Sequence, residues 1–297
     1  MARRFDTISF LSDLGVADES VGVVHAIVRD LAPHVSVVDL THHVHPYDVR
    51  GGSLALARAI GYVPSGVVLA AVDAGLQSGR SFVAIEVAGG EGVLIGPDNG
   101  VLAPAVAMAG GAERAVRLTN VEFHLATPGG ALPVRDVLAP VAAHLCNGVD
   151  LDELGEAVET DLLLPGVVPL PREADGGGVS AEVLWVNRVG DCQLNIGLDD
   201  LGGLGGAVGT RLMAQAGEVT RVVELVEHSG RLGAGSIGLV VDPHGMLALV
   251  LERRSAADEL QLGVSDPVLL TALAEGDRGP GTTSQVRIGP APSRPPR

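Results

Sequence analysis

The chain has no lysine: all 20 basic residues among its 297 positions are arginine. That absence excludes an internal aldimine to a pyridoxal cofactor, a lysine Schiff base and a P-loop lysine. Aromatic residues are scarce, at 2%, with one Trp, two Tyr and four Phe. Single-stranded nucleic-acid binding relies on aromatic stacking platforms, so that class is disfavoured. Positive charge is also short, because 36 acidic against 20 basic residues leave a net charge of −16. A polyanion is repelled by such a surface, so no nucleic-acid partner is expected. Cysteine is limited to Cys146 and Cys192, far apart and outside any CxxC pair, which argues against a zinc ribbon or redox motif. The reading for the compartment is a reducing cytoplasm.

Long apolar runs are missing too. Asp13, Asp73 and Asp242-Pro243-His244-Gly245 cut the hydrophobic stretches well short of the ~18 residues a membrane span needs. Arg3 and Arg4 have no apolar segment behind them, so no export signal is read. Hydrophobic residues still make up 46% of the chain, enough for one large or two modest cores.

The first part alternates strand and helix patterns. Apolar runs at Thr7 to Leu11, Val35 to Leu40, Val67 to Val72, Phe82 to Ala88 and Val93 to Ile95 read as strands. Residues 19–31 read as a helix with Val23, Ala26, Ile27 and Leu31 on one face. A second helix is read from Pro46, with Val49, Leu56 and Ile60 inward. Strands separated by helices of this length predict an α/β domain with a mostly parallel sheet. In such sheets ligands bind beyond the carboxyl ends of the strands. Asp13, the Thr41-His45 stretch and Asp73 each follow a strand, which is the pattern of a crevice, although any strand ends in polar residues. The linker is placed at 166–179, in a stretch rich in Pro and Gly. Beyond it, short strands at Glu182 to Val186, Gln193 to Ile196, Val219 to Val226, Ile237 to Val241 and Met246 to Leu251 predict a small antiparallel sandwich or barrel. The domains are therefore 1–165, α/β; 166–179, linker; 180–277, all-β; and 278–297, a disordered tail.

Each motif has a plain reading beside a chemical one. Of the histidines at 42, 43 and 45, extended chain puts His43 and His45 on one side and His42 on the other. With no cysteine nearby, a strand-end loop of solvated histidines is favoured over a metal site. Ile95-Gly96-Pro97-Asp98-Asn99-Gly100 is a turn sequence or a loop whose backbone approaches a ligand. Leu201 to Gly206 is glycine-rich but lies in the all-β part, so no dinucleotide site is supported. Asp73 and Arg80 are joined by a glycine-containing turn. They form either a surface ion pair or a couple that orients a water.

Several segments taken together resemble one family. They are Phe10-Leu11-Ser12-Asp13-Leu14-Gly15, Val38-Asp39-Leu40-Thr41-His42, Tyr47-Asp48-Val49-Arg50, Val72-Asp73-Ala74-Gly75, Gly96-Pro97-Asp98-Asn99-Gly100, Arg135-Asp136 before Ala139-Pro140-Val141, and Val186-Asn187-Arg188-Val189-Gly190-Asp191. In order and spacing they are similar to the S-adenosylmethionine hydrolases (hydroxide adenosyltransferases), relatives of fluorinase and chlorinase. The resemblance implies an α/β N-terminal domain followed by a C-terminal antiparallel β-barrel. It also implies a homotrimer with ligand between neighbouring subunits, and no cofactor, since S-adenosylmethionine is the substrate. Water attacks the ribose C5′ and methionine leaves. By the same resemblance, Asp13 accepts the ribose hydroxyls, Tyr47 lies against the sugar, and Asp73 with Arg80 holds the water. Asn187 and Asp191 bind the amino-acid and adenine parts, as the family's Asp and Asn exchanged. Pro133 stands where the family has a water-holding His, and His124 and His144 are the histidines offered in its place. Pro243 replaces a Ser at the methionine end. Val134 gives a halide no hydrogen bond, so a halogenase is disfavoured. The alternative is a weak or inactive nucleoside-binding protein of the same fold.

Overall fold

The computed structural model of the chain describes residues 4–75, 79–126, 129 and 131–273. The expected tail at 278–297 lies outside them. The chain divides into two compact units, Met1–Val168 and Pro169–Arg297.

The first unit is a seven-stranded sheet built from β1 (Thr7–Ser12), β2 (Ser36–Thr41), β3 (Gly66–Ala71), β4 (Phe82–Val87), β5 (Gly92–Pro97), β6 (Arg114–Arg117) and β7 (Glu156–Ala157). The strand order is β2-β1-β3-β5-β4-β6-β7. The first four are parallel and the last three pair antiparallel. β3 reads GVVLAA and is buried at every position, as a central strand covered on both faces must be. The period-2 alternation of β1 divides its side chains between two layers. Ile8 and Phe10 pack with Val24 and Val28 of α1 (Ser20–Leu31) and with Ala142 and Leu145 of α4 (Ala139–Cys146). Leu11 faces the other way, with Leu56 of α2 (Val49–Ile60) and Ala105 of α3 (Ala103–Met108).

Two helix readings are corrected. The buried face of α1 is centred on Val24 and Val28, one residue round from the predicted set, and Ala26 is exposed. α2 begins at Val49, not at Pro46. The Asp48 side chain accepts from the Gly51 amide at 2.8 Å and is the cap. Leu56 is fully buried, while Val49 and Ile60 are only partly covered.

The second unit holds β8 (Arg172–Ala174), β9 (Gly178–Val186), β10 (Cys192–Leu194), β11 (Arg211–Ala216), β12 (Val219–Leu225), β13 (Ile237–Val241), β14 (Leu247–Leu251), β15 (Pro267–Ala272) and the short helix α5 (Ala256–Leu260). The order β10-β14-β13-β12-β11-β15-β9 closes because β9 also pairs with β10, giving a seven-stranded barrel. All pairings around the ring are antiparallel except β12 with β13. Val183, Leu194, Leu212, Leu239, Leu249 and Leu270 fill it. The segment 166–179, read as linker, contains β8 and the start of β9, joined through the positive-φ glycines Gly176 and Gly177.

Candidate active site

The parallel register brings three strand ends together. Ser12 pairs with Ala71, and Leu11 pairs with Thr41 across an irregularity after Phe10. Asp13 therefore leaves β1 beside the ends of β2 and β3, and its amide donates to the Ala71 carbonyl at 3.3 Å.

One oxygen of Asp13 organises both neighbouring loops. Its Oδ2 accepts the Tyr47 amide at 3.0 Å and the Asp73 amide at 3.0 Å. Tyr47 has φ 66° and Asp73 has φ 50°, the left-handed region that costs non-glycine residues energy. Two strained backbones in separate loops thus donate to a single carboxylate oxygen. Its Oδ1 takes no hydrogen bond among the described residues. The Asp73 carboxylate likewise makes no hydrogen bond or ion pair among them. Tyr47 is 78% exposed, so its ring is available to lie against a ligand. Arg80 is exposed, at the far end of a loop whose residues 76–78 lie outside the described set.

The Gly96–Gly100 turn serves the same strand ends. Asn99 donates from Nδ2 to the Val72 carbonyl at 3.0 Å and accepts from the Val101 amide at 3.1 Å. It ties the end of β3 to the approach to α3. Gly100 has φ 94°, and a Cβ there would meet the Pro165 carbonyl oxygen at 2.7 Å.

The histidine loop is more ordered than the sequence reading allowed. His43 and His45 are exposed, but His42 is 5% exposed, with Nδ1 2.8 Å from Ser12 Oγ. Sequence reading set His42 on the opposite side from its neighbours yet grouped it with the solvated histidines. The alternation itself was the clue to its burial.

Around Pro133 the chain makes one π-helical turn, Val134–Leu138, with Pro133 and Val134 buried. Asp136 is buried and accepts from the Arg135 guanidinium at 2.5 Å and the Leu132 amide at 2.7 Å. Of the two histidines offered in place of the family's His, His144 stands edge-on to Phe123 at 5.1 Å. The Nε2 of His124 is buried without a partner among the described residues. Burial pushes both imidazoles below their ordinary pKa, toward the neutral form.

In the second unit, Trp185, Asn187, Asp191, Gln193, His228 and Pro243 are among the residues lining a surface pocket of about 460 Å³. Asn187 braces its own turn and keeps one Nδ2 hydrogen uncommitted among the described residues. Its Oδ1 accepts the Val189 and Asp191 amides at 3.0 and 2.9 Å, and its Nδ2 donates to Asp191 Oδ2 at 2.8 Å. The other Asp191 oxygen takes no hydrogen bond among the described residues, and Asp191 lines the pocket. Gln193 is hydrogen-bonded to Asp242, which also takes the His244 and Met246 amides. Both cysteine thiols are buried and pushed up to about 12 by burial, so neither is a nucleophile near neutral pH. Among the described residues no group of His, Cys, Asp and Glu could hold a metal ion, and no helix is long and apolar enough to cross a membrane.

Comparison with known proteins gives the family. Residues 8–155 match the SAM hydroxide adenosyltransferase N-terminal domain. The chain is 39% identical over 269 residues to a protein of Salinispora tropica named (R)-S-adenosyl-L-methionine hydrolase, covering 89% of this chain and 97% of that one. It is 28% identical over 270 residues to a fluorinase of Actinoplanes sp., covering 82% and 89%. The solved structure of an uncharacterized conserved protein from Thermotoga maritima superposes with a TM-score of 0.79 at 26% identity, over 89% of this chain and 99% of that one. With this identity over nearly the full length of both chains, the protein belongs to the SAM hydroxide adenosyltransferase family.

Proposed function

We propose that the protein hydrolyses S-adenosyl-L-methionine to adenosine and L-methionine by attack of water at the ribose C5′. Water supplies the new O–C5′ bond, the C5′–S bond breaks with its electron pair going to sulfur, and one proton is released. The sulfonium leaves as a neutral thioether, so no general acid is required. What the protein must supply is an oriented, partly desolvated nucleophile and a fixed sugar. The observation that carries the reading is Asp13: one oxygen is pinned by two loops and the other is open to accept the ribose hydroxyls. Tyr47 covers the sugar, Asp73 and Arg80 orient the water, and Asn187 and Asp191 serve the amino-acid and adenine ends respectively. The reading includes a homotrimer in the cytoplasm, with sedimentation equilibrium as the check on assembly. Incubation with S-adenosylmethionine and chromatography for adenosine tests the activity. No adenosine above the enzyme-free blank after long incubation overturns it.

A second reading has a specific basis. Pro133 offers no side-chain donor where the family's His holds water, and Pro133 is buried. A protein that binds the nucleoside without turnover fits that change. Calorimetry separates the two: tight adenosine binding with no product favours the second reading, and product favours the first.

A further inference from the structure

Ser12 and His42 form a buried polar pair beside Asp13, with Ser12 fully buried and His42 nearly so. Ser12 Oγ accepts the Leu14 amide at 3.3 Å and lies 2.8 Å from His42 Nδ1. The His42 carbonyl accepts the Gly15 amide at 2.8 Å. The backbone amides of residues 14 and 15, which carry the chain away from Asp13, are therefore both held by this pair. The His42 ring packs on Phe10 at 4.6 Å between centroids. Its Nε2 lies 3.0 Å from Asp39 Oδ1, out of line for a good hydrogen bond. The same Asp39 oxygen sits 2.9 Å from His25 Nε2.

The donors and acceptors run in one direction. A carboxylate facing Nε2 favours the proton there, which leaves Nδ1 as an acceptor. Ser12 then donates its hydroxyl hydrogen to Nδ1 and accepts from Leu14. The order Ser-His-Asp also suggests a nucleophile, but Ser12 has no access and its Oγ is already committed on both sides. A buried polar pair gives less net stability than apolar groups of the same shape. What it adds is direction at the strand end that carries Asp13.

We propose that Ser12 and His42 are positioning residues for Asp13, fixing the turn after β1 so that Oδ2 stays on the Tyr47 and Asp73 amides and Oδ1 stays presented to the sugar. The last part rests on the ribose-binding reading of Asp13. The test begins without ligand, from amide hydrogen exchange measured by NMR on the full chain. Ser12→Ala and His42→Ala should accelerate exchange at the Tyr47 and Asp73 amides about tenfold, while Ser9, Phe10 and Leu69 in the β1–β3 ladder keep the wild-type rate. His42→Asn places an amide oxygen near the Nδ1 position and should restore most of the protection. Unchanged exchange at Tyr47 and Asp73 in Ser12→Ala, or equal acceleration through the whole ladder, overturns the proposal. In hydrolysis assays the same variants should raise KM about tenfold with kcat held within about threefold, a split that loss of folded enzyme does not produce. A wild-type protein that neither binds adenosine nor turns over counts against the ribose reading alone, and the exchange result still decides the positioning role.

Discussion

Replacing Asp13 separates its two tasks. Asp13→Ala removes the acceptor of two amide donors at once. Hydrogen bonds to a charged group contribute ~1.5–3 kcal/mol each, and the bond to Tyr47 is solvent-exposed, so the lower end applies, about 3 kcal/mol for the pair. Tyr47 and Asp73 then relax out of the left-handed region, and relief of that strain offsets about 1 kcal/mol. The net loss is about 2 kcal/mol, or a fall in Tm of roughly 4–8 °C for a unit of this size. Asp13→Asn behaves differently. Its remaining oxygen still accepts both amides, so Tm should fall by no more than roughly 2–3 °C. Its NH2 group then faces the ribose, where two hydroxyl donors need an acceptor. Adenosine affinity should drop about 100-fold, or ~2.7 kcal/mol. Differential scanning fluorimetry and titration calorimetry on both variants give the two readouts. Wild-type adenosine affinity in Asp13→Asn would remove the ribose role, and an unshifted Tm in Asp13→Ala would remove the clamp.

With the Asp73 carboxylate in its proposed role of orienting water and not the sugar, Asp73→Asn should lower S-adenosylmethionine turnover about 100-fold while changing adenosine affinity less than about threefold. Equal loss of both, by kinetics and calorimetry, would place Asp73 on the ligand. Gly100→Ala combines a φ of 94° with a Cβ 2.7 Å from the Pro165 carbonyl oxygen, and should lower the unfolding free energy measured by denaturant titration by about 2 kcal/mol. The buried Glu86 carboxylate is bonded to Arg114 at 2.6 Å and to Arg4 at 2.5 Å, and the Arg114 hydrogen bond leads in holding its pKa below 4.5. Its contribution is therefore complete above about pH 4.5 and is lost as pH falls through the lower folded value. Glu86→Gln should make the acid limb of the Tm–pH profile shallower. Pro133→His places an imidazole where the resemblance sets the family's His, at a backbone of φ −57° and ψ −34°, which any residue adopts. It should raise kcat about tenfold with KM little changed, and an unchanged kcat would mean that this position does not reach the water.

How far the sequence can be read depends on whether a residue's neighbours are near in the chain. β3 and β13 were readable because an uninterrupted apolar run has one stable use in a covered sheet or a small barrel. That Asp13 and Asp73 come together could be read because both follow apolar strands of one parallel sheet. β11, Arg211–Ala216, was missed because Ala, Met and Gln carry little strand preference, and its pairing with β12 and β15 overrides that weakness. β15 was missed as well, as its long-range pairing with β9 and β11 leaves no local pattern. The Asp13 clamp could not be read at all. It joins residues 34 and 60 positions away through backbone amides, which have no side-chain signature in the sequence.

The two halves of the proposed chemistry are built to different standards in this chain. Strained backbones persist only where the surroundings over-determine them. Here Tyr47 and Asp73 are held by Asp13, Asp13 by the turn after β1, and that turn by Ser12 and His42. Several bonds must fail before Asp13 Oδ1, the oxygen proposed to face the sugar, moves. The proposed water site shows less of this backing at Asp73 and Pro133 among the described residues. The Asp73 carboxylate has no hydrogen bond among the described residues, and Pro133, which the resemblance sets at the family's His, has no side-chain donor. A nucleophile held by fewer contacts spends less time in line with C5′, and rate falls with that fraction while affinity does not. The combination therefore favours tight nucleoside binding with slow release of product from S-adenosylmethionine. A fast enzyme with weak adenosine affinity would contradict it.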